Sequence, residues 1–323
     1  MNNLKNHHNK DGSFKNNHPI EMTHRSLKSV MKWKLLESLP KRQSIHHIEC
    51  DLNKFRNTNE SLISWIGHAT FLIKHNGLTI LTDPHFSKRA SPFQWIGPKR
   101  TTPPSAQVNH LPNIDIVLIS HDHYDHLDKA SVLKIHEQQK SNPPLFVLPL
   151  GLGKWFKKRG INNWIELDWW ESHHIDGWEF TSVPAQHFSG RSLRQDRTLW
   201  CGWVARSTAD DRKFYFAGDT GYSPDFKAIG DHFNGFDVSM LPIGAYEPQW
   251  FMKHIHASPE DAVKMHMDVQ SKFSLSMHWG AFMLTNEPML QPPHKLKQAL
   301  LKHKIKTSDF VSQDQGAILS LFQ

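Results

Sequence analysis

The stretch Ile114-Asp-Ile-Val-Leu-Ile-Ser-His-Asp-His-Tyr-Asp-His-Leu-Asp128 decides how this chain folds. Its first six residues are mostly apolar and follow a Pro-Asn pair, a pattern typical of a buried strand. The remainder has the spacing His121-x-His123-x-Asp125-His126, directly where that strand ends. Side chains of an extended segment alternate between two faces, so His121 and His123 can reach one ion. After the turn, Asp125 and His126 can face a second ion. The pattern therefore predicts ligands for two metals.

The length and composition are those of a globular protein. With 323 residues, 38% hydrophobic and 21% charged, the chain can bury a sizeable core in one large domain or two smaller ones. No apolar run approaches the ~20 residues needed to cross a bilayer, and the polar start lacks the apolar core of a secretory signal. Two cysteines are too few for a disulfide framework. We expect a cytoplasmic protein, with peripheral membrane contact as an option.

The net charge of +7 is concentrated at the start of the chain. Residues 1–60 contain 11 Lys or Arg against 6 Asp or Glu, which gives 11 − 6 = +5. Such a segment can contact anionic lipid or nucleic acid, but a solvated tail explains it equally well. We expect 1–60 to be a basic, partly disordered extension, poorly ordered over 1–30 and with a short helix at 31–39. Residues 61–323 are expected to form the folded domain.

Other expected strands also end next to residues of ligand type. Strands predicted at 179–183, 213–217 and 273–277 are followed by His187, Asp219 and His278. Asp219 stands in a glycine-rich turn, so it can approach closely, and its carboxylate can bridge two cations. Imidazole and carboxylate without thiolate favour zinc, with iron and manganese as alternatives. We therefore expect one site with two cations.

Helix and turn signals predict the surrounding α/β architecture. Asn76-Gly77 between two β-rich runs is typical of a hairpin. Asp128 is a suitable cap for a helix over 129–139, and Ser258-Pro259 a suitable start for a helix to about 270. A strand, helix, strand order implies layers of helices on sheets. The proline-rich segment 86–112 is expected to be a long loop over the site.

Two further polar residues follow predicted strands. His68 and Asp83 come directly after apolar runs in the first part of the domain. Each can orient a metal ligand through a hydrogen bond, a support that metal-bound histidines usually have. The alternative is an ordinary structural residue that is satisfied by hydrogen bonds.

These motifs together resemble a known superfamily. The His-x-His-x-Asp-His motif, His187, the Gly-Asp-Thr turn and His278 resemble the metallo-β-lactamase superfamily, whose fold is an αβ/βα four-layer sandwich. Two longer strings resemble the N-acylphosphatidylethanolamine-hydrolysing phospholipase D family, over roughly residues 62–320. They are Pro242-Ile-Gly-Ala-Tyr-Glu-Pro-Gln-Trp-Phe-Met-Lys253 and the segment from Ser258-Pro-Glu-Asp-Ala-Val to His278-Trp-Gly.

The resemblance implies a ligand set and a reaction. One zinc would be held by His121, His123 and His187, and the other by Asp125, His126 and His278, with Asp219 bridging. Asp125, Asp219 and His256 are then the expected catalytic residues, with His256 near the substrate phosphate. The implied activity is that of a binuclear-zinc phosphodiesterase that converts N-acylphosphatidylethanolamine-like phospholipids to phosphatidate and N-acylethanolamine.

The resemblance also implies contacts with the lipid. The candidate substrate contacts are Arg191, Tyr246, Glu247, Gln249 and Trp250. Arg191 would meet a phosphate or form a structural ion pair, and Gln249 stands where the family usually has an arginine. Four aromatic residues would line an acyl groove or contact lipid, unless they are ordinary core residues. They are Trp95, Trp250, Phe251 and Phe282.

Two other functions fit part of the sequence. The same site could hydrolyse a small soluble phosphodiester or lactone, because substrates change readily within one fold. The positive net charge would suit a nucleic-acid binder with structural metal. However, the sequence beyond residue 60 has no clustered basic face and no recognised nucleic-acid motif, so we expect no nucleic-acid partner. The oligomeric state is left open.

Overall fold

The apolar segment before the histidine motif forms a short strand near the middle of a seven-stranded sheet. The computed structural model describes residues 6–19, 40–191 and 195–322. The strands of the first sheet are β1 (Ser61–Gly67), β2 (Thr70–His75), β3 (Leu78–Thr82), β4 (Ile116–Leu118), β5 (Leu145–Pro149), β6 (Trp164–Leu167) and β14 (Ile318–Leu321). Those of the second sheet are β7 (Ser172–Ile175), β8 (Trp178–Val183), β9 (Gly202–Ser207), β10 (Lys213–Phe216), β11 (Phe236–Pro242), β12 (Ser271–Met277) and β13 (Phe310–Val311).

Strand direction decides which ends of the strands meet. The first sheet has the order β14-β1-β2-β3-β4-β5-β6, and β3 to β6 are parallel. The second has the order β13-β12-β11-β10-β9-β8-β7, with β10 to β13 parallel. Strand β8 is antiparallel to β9, which is antiparallel to β10, so β8 and β10 run the same way. The carboxyl ends of β8, β10 and β12 therefore lie at one edge.

Alternation along the strands produces two separate cores. In β1, Leu62 and Ile66 belong to a cluster that includes residues of the helices covering the first sheet. Ile63 and Trp65, one position away, belong to the cluster that lies between the two sheets. Because neighbouring side chains of a strand point to opposite faces, each strand of this sheet contributes to both cores. The predicted αβ/βα four-layer sandwich is confirmed.

Seven α-helices are present in the described part of the chain. Those that pack against the first sheet are α1 (Leu52–Arg56), α2 (Lys129–Gln138) and α3 (Gly153–Lys157). The others are α4 (Asp225–Phe233), α5 (Gln249–Met252), α6 (Pro259–Asp268) and α7 (Gln291–Lys302). The starts of α2 and α6 agree with the sequence signals. Asp128 caps α2, and Ser258 forms a reciprocal capping box with Asp261 at the start of α6. Within the described residues, no helix is long and apolar enough to span a bilayer.

Hydrogen bonds join the two sheets at the edge where the strands end. The backbone N–H of His278 donates to the carbonyl of His68 (3.0 Å), and that of Cys201 donates to the carbonyl of Ser120 (3.0 Å). The indole N–H of Trp203 reaches the carbonyl of Ile119 at 2.8 Å. These bonds satisfy buried backbone groups that no ladder could pair, so they fix how the sheets are placed relative to each other.

Five helices and strands were not expected from the sequence: the short helices α1 and α5, and β7, α4 and β13. Strand β7 is a half-buried edge strand with weak apolar character, although the Asp-Gly turn that joins it to β8 is a hairpin signal. Helix α4 begins directly after Pro224 and is followed by Asn234, which has a left-handed backbone (φ 56°). Strand β13 is only two residues long. The predicted strands and the helices after Asp128 and Ser258 are otherwise present, with shifted ends.

Part of the N-terminal extension is more ordered than the sequence predicts. Residues 6–19 lie against the folded domain through several hydrogen bonds, rather than forming a poorly ordered segment. The helix predicted at 31–39 lies outside the described residues. The division into 1–60 and 61–323 remains a prediction.

Removing the ring of Phe146 from β5 should destabilise the first sheet. Phe146 is fully buried against the covering helices, so Phe146→Ala should lower the free energy of unfolding by about 3–5 kcal/mol. Leu301→Ala on α7, where the side chain is 65% exposed, should change it by less than about 0.5 kcal/mol. Urea denaturation followed by fluorescence measures both. Equal effects would contradict the assignment of this core.

Candidate metal centre

Seven side chains with metal-binding groups converge at the joined edge of the two sheets. Four follow β4 in the first sheet, and one follows each of β8, β10 and β12 in the second. They are His121, His123, Asp125, His126, His187, Asp219 and His278, and they divide into two clusters. The structure thus brings together all seven residues that the sequence analysis selected. His68, which was expected to orient a ligand, lies within the second cluster.

The first cluster has the spacing of a single cation's ligands. His121 Nε2 lies 2.8 Å from His123 Nδ1, which lies 3.2 Å from His187 Nε2. Asp219 Oδ2 is 3.7 Å from His187 Nε2 and 4.0 Å from His121 Nε2. Ligands at tetrahedral zinc distances are about 3.3 Å from one another, since each lies ~2.0–2.1 Å from the ion. Three imidazoles and one carboxylate oxygen can therefore surround one cation here.

The second cluster shares Asp219 with the first. Asp125 Oδ2 lies 3.5 Å from His126 Nε2 and 3.4 Å from His278 Nε2. Asp219 Oδ1 is 2.9 Å from His278 Nε2, and Asp219 Oδ2 is 3.1 Å from His126 Nε2. The carboxylate of Asp219 therefore lies between the clusters, where it can bridge two cations.

Unpartnered polar atoms show that this residue set fits metal ions. His126 Nε2, His278 Nε2 and Asp219 Oδ1 are buried, and although they lie close to one another, none of them forms a hydrogen bond with any described residue. A buried polar atom without a partner costs about 1–3 kcal/mol. A bound cation would supply the missing partner for each of them.

Electrostatics favour the forms of these side chains that bind metals. Burial lowers the pKa of His121 and His187 well below the usual value, so both rings are neutral. Burial alone would raise the pKa of Asp219, but the charges of His126 and His278 hold it well below its usual range. Burial opposes a charge on His278, yet Asp219 and its other partners raise its pKa to about 9. A cation bound there must displace that proton.

Hydrogen bonds from behind orient the rings. His126 Nδ1 donates to Asp83 Oδ2 at 2.6 Å, which leaves Nε2 facing the site. Asp83 is fixed in turn by the backbone N–H of Ser120, 2.7 Å from its Oδ1. His187 Nδ1 donates to the carbonyl of Ile255 at 2.8 Å. Asp83 therefore makes the supporting contact that the sequence analysis expected.

Backbone strain is concentrated around the same residues. His68, Asp83 and His278 have positive φ angles of 56°, 31° and 62°, which non-glycine residues rarely adopt. The turn before Asp219 requires glycine. Gly218 has φ 61°, and a Cβ there would lie 2.7 Å from the Ser120 Cβ and 2.9 Å from the Cys201 carbonyl oxygen. This close approach brings Asp219 up to the histidine motif.

A cavity of about 410 Å³ lies above the two clusters. His123, Asp125 and Asp219 form part of its floor, and Ala90 and Pro98 show that the loop 86–112 reaches its rim, as predicted. Most of its walls are apolar. The apolar wall residues include Phe188, Phe251, Met252, Ile255 and Leu284.

His256 lies in the cavity wall beside the bridging carboxylate. Its Nδ1 is 3.9 Å from Asp219 Oδ2. Burial lowers its pKa to about 4, so the ring is neutral at pH 7 and keeps one N–H to donate.

Two predicted substrate contacts, Arg191 and Tyr246, form hydrogen bonds within the protein. The guanidinium of Arg191 donates to the carbonyls of Asp122, His123 (3.2 Å) and Leu127, so it braces the histidine motif from behind. Tyr246 is buried, and its hydroxyl donates to Gln291 at 2.7 Å. Both side chains form hydrogen bonds within the protein, and their contact with a phosphate or a lipid stays a prediction.

The remaining predicted contacts lie around the cavity rather than in it. Gln249 and Trp250 are exposed on α5, the helix that places Phe251 and Met252 in the wall. Glu247 accepts a hydrogen bond from the Gln249 backbone (3.3 Å). Among the other aromatic candidates, Trp95 is exposed at 74% and Phe282 packs its ring against His68.

Sequence reasoning missed several side chains that line the cavity, among them Tyr124 and Phe188. Tyr124 and Phe188 both face it. Their signal was their position, because each directly follows a metal-ligand candidate, His123 or His187. A residue next to a ligand candidate at a strand end lies close to the same cavity.

The fold and this centre define a metal-dependent hydrolase of the metallo-β-lactamase fold. A family model described as a beta-lactamase superfamily domain matches residues 79–279. Among solved structures, a possible metal-dependent hydrolase from Veillonella parvula superimposes with a TM-score of 0.64 at 16% identity. That match covers 81% of this chain and 100% of the other, and it shows the fold.

Curated relatives identify the branch. The chain is 40% identical to N-acyl-phosphatidylethanolamine-hydrolyzing phospholipase D 1 of Caenorhabditis elegans, over 92% of this chain and 84% of that protein. It is 36% identical to the mitochondrial N-acyl-phosphatidylethanolamine-hydrolyzing phospholipase D of Saccharomyces cerevisiae, over 72% of this chain and half of that protein. The chain belongs to the beta-lactamase superfamily and, within it, to the N-acylphosphatidylethanolamine-hydrolysing phospholipase D family.

Replacing Asp83 should weaken metal binding. An amide in Asp83→Asn cannot accept from both His126 Nδ1 and the Ser120 N–H, so one of these bonds is lost and zinc affinity should fall 10–100-fold. Asp115→Asn is the matched control, because Asp115 accepts from the Thr79 N–H at the opposite end of β3. Competition with a chromophoric chelator measures both affinities. An unchanged affinity in Asp83→Asn would show that ring orientation does not depend on this carboxylate.

Proposed function

We propose that this protein is a binuclear-zinc phosphodiesterase of the phospholipase D type. Its substrates would be N-acylphosphatidylethanolamine-like phospholipids, and its products phosphatidate and an N-acylethanolamine. The observation that carries the proposal is the pair of ligand clusters sharing Asp219 beneath an apolar cavity. The names of the worm and yeast relatives, at 40% and 36% identity, support the substrate class.

The ligand chemistry supports zinc in both positions. Five imidazoles and two carboxylates, without a thiolate, suit zinc at low coordination number. Iron and manganese accept the same groups and are the alternatives. Both cysteines of the chain, Cys50 and Cys201, are buried as free thiols. Neither belongs to the ligand clusters found among the described residues.

The protein's own residues would divide the work of the reaction. When bound, the two cations supply Lewis-acid activation of water and neutralise the charge of the phosphodiester. Asp219 would be a ligand shared by the two cations, and Asp125 would be a ligand of the second cation. His256, with a neutral ring beside Asp219, would donate its N–H to a phosphate oxygen as negative charge grows there. The apolar walls exclude bulk water and strengthen these interactions.

The size of the cavity supports a substrate that remains partly in a membrane. A volume of about 410 Å³ is within the range of small-ligand pockets and holds only part of a phospholipid. The phosphodiester can reach the floor of the cavity while acyl chains of the lipid stay outside it. A lipid surface must then lie close to the rim.

The loop 86–112 has the composition of a membrane-contact element. Phe93, Trp95 and Ile96 are 55%, 74% and 53% exposed at its tip, next to the rim residues Ala90 and Pro98. Exposed basic residues flank the tip on both sides, at Lys88 and Lys99. An apolar tip between two lysine side chains suits the interface of an anionic membrane. We propose that this tip inserts among lipid headgroups and presents the substrate to the cavity.

Replacing Asp219 should remove both the hydrolytic activity and the carboxylate that would bridge the two cations. Purified wild-type protein should contain two equivalents of zinc and hydrolyse N-acylphosphatidylethanolamine in mixed micelles. Asp219→Asn should lose at least about a hundredfold in activity together with bound metal, whereas Asp231→Asn, an exposed carboxylate on α4, should match the wild type. Elemental analysis and product detection by mass spectrometry provide the measurements.

The same purified protein can be used to decide whether the substrate is a lipid or a soluble ester. A chromogenic soluble phosphodiester is assayed beside the lipid. Turnover of the soluble ester alone would contradict the lipid assignment while leaving the metal centre intact. A metal-free wild type with full activity would contradict the metal centre itself.

Removing the exposed indole of Trp95 should weaken membrane binding. Trp95→Ala should lower the partition coefficient on vesicles that contain phosphatidylglycerol by about tenfold, because one large apolar side chain no longer enters the interface. The activity on a soluble diester should stay unchanged. Leu301→Ala, which removes an exposed apolar side chain from α7, is the control. Vesicle sedimentation with equal binding by all three proteins would contradict the proposed contact surface.

A further inference from the structure

The side chain of Asn16 pairs with the backbone of a metal-ligand candidate. Its Nδ2 donates to the carbonyl of His187 at 2.9 Å, and its Oδ1 accepts from the His187 N–H at 3.1 Å. The same oxygen accepts from the indole N–H of Trp200 at 3.0 Å. Asn16 thus satisfies both backbone groups of His187, as a neighbouring strand would.

His187 needs such a partner because it lies outside the ladders. Strand β8 ends at Val183, and β9 does not begin until Gly202. His187 is nevertheless fully buried, where an unpaired backbone group is costly. A residue from the far start of the chain supplies the pairing that the sheet does not.

The segment that carries Asn16 is firmly attached on both sides of it. On one side, His7 Nε2 and His8 Nε2 lie 2.6 and 2.7 Å from the two oxygens of Asp168, and the ring of His7 stacks on Trp169. The Phe14 N–H donates to the carbonyl of Asp196 at 2.8 Å.

On the other side of Asn16, the attachment continues to α4 and to the neighbour of His187. Asn17 Nδ2 donates to Asp225 at 3.0 Å, and Gln186 Nε2 donates to the His18 carbonyl at 2.8 Å. These contacts come from separate parts of the fold. Asn16 is therefore held in place independently of His187.

We propose that the segment 6–19 is a structural part of the metal centre, in which Asn16 is a positioning residue for His187. The backbone of His187 is fixed by Asn16, and its ring is fixed by the Ile255 carbonyl 2.8 Å from Nδ1. Two supports at opposite ends of one residue set where Nε2 points. The inference rests on the proposed binuclear centre, in which His187 holds the first cation.

Asn16→Ala tests this role, and Asn17→Ala is the matched control. Asn17 anchors the same segment but bonds to Asp225 rather than to His187. Zinc affinity is measured by chelator competition, and the visible spectrum of the cobalt-substituted protein reports the geometry at the ion. Asn16→Ala should bind the cation that His187 would hold about tenfold less tightly and show an altered cobalt spectrum. Asn17→Ala should stay within about twofold of the wild type.

A purely structural role would give a different result. If Asn16→Ala lowered the melting temperature but left zinc affinity and the cobalt spectrum unchanged, the positioning role would be refuted. Equal weakening in both variants would assign the effect to attachment of the segment, which overturns the positioning role of Asn16.

A second variant and the wild type complete the design. If Asn16→Ala does not fold, Asn16→Asp replaces it. The carboxylate introduced by Asn16→Asp keeps the acceptor for Trp200 and for the His187 N–H but loses the donor to the carbonyl, so zinc binding should weaken in the same direction. A wild type that binds no zinc would instead refute the proposed function, which separates the two failures.

Discussion

The structure depends on the contact between two sheets that each carry part of one ligand set. The first sheet supplies the cluster after β4, and the second supplies His187, Asp219 and His278. Because these groups are buried, they are tolerated only when they lie within a few ångströms of one another or of an ion. The backbone bonds from His278 to His68 and from Cys201 to Ser120 fix that approach. Packing between the sheets and assembly of the site are therefore one constraint.

Around this contact, local strain is offset by hydrogen bonds. Asp83 has a left-handed backbone, yet its two carboxylate oxygens receive the Ser120 N–H and the His126 ring. His68 and His278 share both the strain and the bond that joins the sheets. Strained residues persist only where their surroundings hold them in several ways. Here the surroundings do so because orientation of the rings requires it.

The sequence predicts which ligand-type side chains converge, because their pattern is local. The spacing from His121 to His126 and the polar residues after β8, β10 and β12 follow from strand periodicity and strand ends. The positions of Arg191 and Tyr246 do not, because their partners are backbone carbonyls of the histidine motif and Gln291, which are distant in sequence. The docking of residues 6–19 is likewise non-local. It depends on Asp168 and Asp225, which no spacing relates to the N-terminal histidines and asparagines.

The order of the proposed ligands along the chain has a consequence for biosynthesis. The groups assigned to the first cation are all translated once Asp219 has been added. The second cation must wait for His278, which comes after α6 and most of the second sheet. Strand β14, which pairs with β1 at the edge of the first sheet, is made later still. Metal loading in a growing polypeptide would therefore be stepwise, and a truncated product ending before His278 would retain the ligands for one ion only.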